Sequence, residues 1–75
     1  MKVVLNAKYL NSFTKVDKDK KEISYARFLI DDTSVIICKD KHRLAECFKG
    51  LEPHSIYCEQ SLFNGFLYYS LLQVK

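Results

Sequence analysis

The sequence predicts a mainly β chain: one small domain over residues 1–75, built as a five-stranded barrel with one short helix between strands 3 and 4. Three observations lead there. Apolar and polar residues alternate along most of the chain, the period of a half-buried strand. Asn64–Gly65 sits between two apolar, β-prone runs, the strongest short-range signal for a hairpin. Helical spacing is confined to residues 40–50, DKHRLAECFKG.

The first strand covers residues 2–16, KVVLNAKYLNSFTKV. Val3, Leu5, Ala7 and Tyr9 form its apolar face, while Val4, Asn6, Lys8 and Leu10 form a mixed one. The run is long, and Asn11–Ser12 marks a bend or bulge. Residues 17–22, DKDKKE, are six consecutive charges that leave no core position, so they form the exposed tip of a hairpin. Residues 23–31, ISYARFLID, alternate again, with Ala26, Phe28 and Ile30 inward and Tyr25 and Arg27 outward. Asp31–Asp32 is a turn, and residues 33–39, TSVIICK, are a short β-branched strand that the pattern places in the interior.

In residues 40–50, Asp40 is the expected N-cap and Gly50 the expected C′ residue of a helix of about ten residues. Leu44, Cys47, Phe48 and Leu51 follow helical spacing, and Pro53 prevents continuation. Residues 54–63 and 66–75 then flank Asn64–Gly65 as a type I′ hairpin. That register sets Phe63 opposite Phe66, Leu62 opposite Leu67, Gln60 opposite Tyr69 and Cys58 opposite Leu71. Strand, strand, strand, helix, strand, strand is the element order of the OB-fold, a partly open barrel. Other small α+β folds share this order, and an SH3-like barrel differs mainly in its helix.

Composition narrows the function. A chain of 75 residues buries roughly 60% of its unfolded surface, which allows one core but no deep substrate cavity beside it. No apolar run approaches the roughly 18 residues that span a membrane, and Asn6 and Lys8 interrupt the apolar N-terminal segment, which is not a signal peptide. The chain is therefore expected in the cytoplasm. Cys38, Cys47 and Cys58 match no zinc spacing even with His42 and His54, so reduced, mostly buried thiols and no metal or cofactor are expected. Phosphate-loop, metal-hydrolase and nucleophile-elbow motifs are absent from the sequence. His42 and Cys47, five apart on a helix, would face different ways. A binding protein is expected, not an enzyme.

The C-terminal segment SIYCEQSLFNGFLYYSLLQVK, an aromatic-tipped hairpin followed by an alternating strand ending in a basic residue, resembles the small single-stranded DNA-binding proteins of filamentous phages. The resemblance extends to element order along most of the chain. It implies an OB-fold dimer that binds single-stranded nucleic acid in a bacterial or phage-infected cell. Replication accessory proteins of OB type from plasmids and phages fit the same layout.

Single-strand binders combine a basic groove with aromatic rings that stack on bases. The expected nucleic-acid-binding residues are Tyr25 and Arg27 on the outward face of the second strand, Lys8 on the mixed face of the first, and Lys15, Lys18, Lys20 and Lys21 around the charged tip. The net charge of +3 permits a polyanion partner without requiring one. The plainer reading is that DKDKKE is a solvated turn whose charges nearly cancel and that an outward tyrosine is simply a good strand former.

The hairpin tip, LFNGFL, is apolar on both faces, whereas a solitary tip should be polar. Leu62, Phe63, Phe66 and Tyr68 are the expected interface of a homodimer. The alternatives are a protein–protein interaction module or inhibitor docking through this hairpin, and a subunit of a larger assembly.

Overall fold

The computed structural model describes residues 1–49 and 52–74. Five strands, β1 (Lys2–Val16), β2 (Glu22–Ile30), β3 (Ser34–Lys39), β4 (Pro53–Phe63) and β5 (Phe66–Val74), form a closed barrel in the order β1-β2-β3-β5-β4. All neighbours are antiparallel except β3 and β5, which run parallel through Cys38–Tyr69 and Lys39–Ser70. The result is a mainly β, OB-like barrel.

β1 serves both halves of the barrel. Its first half pairs with β4 from Lys2 to Lys8, and its second half pairs with β2 from Ala7 to Val16. The register slips between Tyr9 and Asn11, leaving Leu10 as the extra residue. A bulge of this kind bends a strand and lets one long strand turn the barrel corner.

Asp17 organises the β1–β2 turn. Its Oδ1 accepts the amide hydrogens of Asp19 and Lys21, both at 2.9 Å, an Asx-type turn that explains why a charged run folds tightly. The β4–β5 hairpin has the predicted register, including Phe63–Phe66, Leu62–Leu67, Gln60–Tyr69 and Cys58–Leu71. Asn64 and Gly65 have φ of 51° and 81°, the left-handed pair a type I′ turn requires. A Cβ at Gly65 would meet open space, so glycine is there for its backbone angle alone.

Phe28, Ile56, Ala7, Ala26, Cys38, Cys58, Ala45, Phe48 and Leu71 form the buried core. Tyr9, Phe28 and Phe48 meet as an aromatic trio, with centroids 5.7–6.0 Å apart and Phe28 and Phe48 edge to face. Cys38 and Cys58 touch inside the barrel, with their sulfurs 4.0 Å apart. The hydrogen bond with Cys58, followed by burial, pushes the Cys38 thiol far above its ordinary range. Cys47 is exposed, unlike the other two cysteines.

Two expectations are corrected. First, no helix of about ten residues follows β3; the segment makes a single 3-10 turn, Leu44–Cys47. Arg43 is left-handed (φ 53°, ψ 41°) and Phe48 is extended, so neither end can propagate. Asp40 does cap the turn, but its carboxylate takes the amide hydrogens of both Leu44 (2.8 Å) and Ala45 (2.9 Å). An α-helix would have sent those two hydrogens to backbone carbonyls four residues back. Second, β3 is not an interior strand. Ile36 and Cys38 face the core, but Val35 is 58% and Ile37 46% exposed. Gly50 and Leu51, expected at the helix end, lie outside the described residues.

Candidate nucleic-acid interface

The bulge at Leu10 decides which face carries the aromatic residues. Counting by twos from Val3 would send Phe13 inward with Ala7 and Tyr9. The extra residue inverts that phase, because a one-residue slip moves every later side chain to the other face. Ser12 now stands opposite buried Ala26, and Phe13 stands opposite Tyr25 on the outer face. Sequence reasoning missed Phe13 for this reason. Its signal was present in the bulge expected at Asn11–Ser12, whose consequence for the alternation had to be carried forward.

The Phe13 and Tyr25 rings stack with centroids 5.3 Å apart and an interplanar angle of 15°. The Arg27 guanidinium lies 4.3 Å from the Phe13 centroid, and its Nη1 donates to Asn11 Oδ1 at 3.3 Å. Lys15 Nζ lies 5.7 Å from the Phe13 centroid and 6.0 Å from that of Tyr25. The cations hold to the negative ring faces while their charge stays in water. Across the next strand pair, Tyr25 registers with Lys39. Phe13, Tyr25 and Lys39 thus form a row across β1, β2 and β3.

This row borders a groove of about 660 Å³. Only two residues of β3 pair with β5, so the strands diverge toward Ser34 and Phe66, and the groove occupies the divergence. Val35 and Ile37 wall one side, and Phe66, Leu67 and Tyr68 the other. Lys15 and Lys39 are the charged residues that line it among those described. A second hollow of about 460 Å³ gathers Lys21, Lys39, Lys41 and Arg43 beside Asp17 and Glu22. Lys39 was read in the sequence only as the end of the third strand, and Lys41 and Arg43 only as part of a helix, so their place beside the charged tip was not seen.

The remaining expected residues fall as follows. Tyr25, Arg27 and Lys15 come together on the platform, and Lys21 stands in the neighbouring basic hollow. Lys18 and Lys20 are exposed on the turn and line neither the groove nor that hollow. Lys8 lies elsewhere: its Nζ is 2.8 Å from Asp32 Oδ1, in a hollow with Asn6, Leu29 and Pro53. Of the expected dimer residues, Leu62 is 71%, Phe63 64% and Phe66 66% exposed, and Tyr68 is also exposed. Phe66 and Tyr68 line the groove, whereas Leu62 and Phe63 lie beyond it.

Among the described residues, no three His, Cys, Asp or Glu side chains are grouped to hold a metal ion, and no helix is long and apolar enough to cross a membrane. Searches against protein-family models, curated proteins and solved structures return no match.

Proposed function

We propose that this chain binds single-stranded nucleic acid, DNA in particular, with no recognition of a defined sequence and no enzymatic activity. The observation that carries this reading is the stacked Phe13–Tyr25 pair, ringed by Arg27, Lys15 and Lys39, at the edge of an apolar-walled groove. Rings that offer a face to bases, beside cations that meet phosphates, are the two components of sequence-tolerant strand binding. Base stacking contributes about 1–3 kcal/mol per base, and each phosphate contact makes affinity fall with salt. Tyr25 and Phe13 are assigned to stacking, and Arg27, Lys15, Lys21 and Lys39 to the backbone.

The hairpin supports a homodimer as part of the same proposal. Leu62 and Phe63 stand outside the groove and leave apolar surface in water that a second copy would cover. Two strand-binding faces on one particle raise the effective concentration of the second face for a long strand. On the resemblance in the C-terminal hairpin, we extend the proposal to a role in the cytoplasm of a bacterial or phage-infected cell. A protein partner docking on the hairpin is the second reading, favoured by the same exposed apolar tip.

Fluorescence anisotropy with oligo-dT at two salt concentrations tests the proposal. Binding at low salt that weakens steeply as salt rises is the expected result. No binding at low salt would overturn it and leave the protein-partner reading.

A further inference from the structure

The side chains lining the groove carry an unbalanced set of hydrogen-bonding groups. None of the described lining residues is an Asp, Glu, Asn or Gln. The charged groups are the ammonium groups of Lys15 and Lys39, which only donate. Tyr25, Tyr68, Tyr69 and Ser70 supply hydroxyls, which serve either way, but Tyr69 Oη already accepts from Gln60 Nε2 at 3.2 Å. The backbone edges left free where β3 and β5 diverge present amide donors and carbonyl acceptors in alternation and do not favour one base over another. The rest of the wall is aliphatic: Val35, Ile37 and Leu67.

Such a surface distinguishes bases by their edges. Adenine and cytosine each carry an exocyclic amino group with two N–H donors, and guanine carries these and N1–H, all of which must find acceptors on leaving water; thymine carries a single N3–H between two carbonyl oxygens, and an apolar C5-methyl. A buried donor left without a partner weakens binding. Carbonyl oxygens suit the lysines, and the methyl suits Val35, Ile37 and Leu67.

Resting on the strand-binding reading above, we infer that the groove between β3 and the β4–β5 hairpin favours thymine, so that thymine-rich DNA is the preferred ligand. The preference is one of base composition and needs no sequence motif. Two separable contributions make it up. The amino group disfavours cytosine and adenine, and the methyl favours thymine over uracil.

Anisotropy titrations of the parent protein with oligo-dT, oligo-dU, oligo-dC and oligo-dA of equal length separate these contributions. Oligo-dT should bind tightest. It should exceed oligo-dU by about fourfold for each methyl the groove buries, which corresponds to about 0.8 kcal/mol. Oligo-dC should bind more weakly than oligo-dU. Ile37→Thr, at a position already partly in water, should reduce the dT:dU ratio. Equal binding of dT and dU, dC as tight as dT, or dA above dT through stacking alone would each overturn the thymine preference while leaving the strand-binding reading in place. Failure of all four to bind would overturn both.

Discussion

Phe13→Ala is the most informative single change, because it removes a ring and no charge. Phe13 is half-buried and packs face to face on Tyr25 at 5.3 Å, so its loss should cost the fold about 0.75–1.5 kcal/mol, half the value of a fully buried side chain. The barrel core of Phe28, Ile56 and Phe48 is untouched, so the variant should fold. If a base stacks on this platform, oligo-dT affinity should fall by about 5- to 150-fold, the equivalent of about 1–3 kcal/mol. The slope of log affinity against log salt should stay where it is, since no phosphate contact is lost. Arg27→Ala should also weaken the complex but, unlike Phe13→Ala, should make the salt slope smaller by about one. Phe13→Tyr should restore most of the lost affinity. Anisotropy at three or more salt concentrations reads all of this in one set of titrations. The reasoning fails if Phe13→Ala binds like the parent. It also fails if the variant loses slope as Arg27→Ala does, because the ring would then serve only to hold Arg27 and Lys15 in place.

Three further outcomes follow from the structure. Phe63→Lys, outside the groove, should yield folded monomers where the parent sediments as a dimer at tens of micromolar, and should weaken binding to long oligonucleotides more than to short ones; a monomeric parent would refute the dimer. Asp40→Ala leaves the Leu44 and Ala45 amides without the buried carboxylate they share and should cost about 2–4 kcal/mol by urea denaturation, with Asp40→Asn costing less because it keeps one acceptor oxygen. In the Cys38–Cys58 pair the hydrogen bond raises the Cys38 thiol and lowers the Cys58 thiol, so the two act on stability in opposite directions as pH rises, whereas burial alone opposes ionisation. In Cys58→Ala, where burial acts on Cys38 without that hydrogen bond, the urea midpoint should fall from about pH 8 to about pH 10, and by less when Cys38→Ala is added, where an unchanged pH dependence would count against the argument.

Much of the barrel is legible in the residues because its signals are local. DKDKKE excludes a core position by composition, and Asn64–Gly65 sets the register of β4 and β5 by the handedness of its turn. Alternation identified Ala26, Phe28 and Ile30 as the inward set of β2, and Tyr25 and Arg27 as its outward pair. The 3-10 turn was harder to read. LAECF carries helical spacing, but a short apolar run cannot reveal that Arg43 turns left-handed and that one buried carboxylate captures two amides.

What the amino-acid order determined by itself is the number and ends of the strands, the hairpins and the apolar tip. What only the tertiary structure decided is which surface those elements share. Period-two patterning is relative, so a single bulge at Leu10 reverses the meaning of every position after it and brings Phe13 to Tyr25. The parallel contact of β3 with β5 joins segments about thirty residues apart through two residue pairs. No local signal encodes it, because parallel neighbours are connected through other elements of the fold. Yet that short contact, by ending at Cys38, opens the groove and leaves Val35 and Ile37 facing Phe66 and Tyr68 across it.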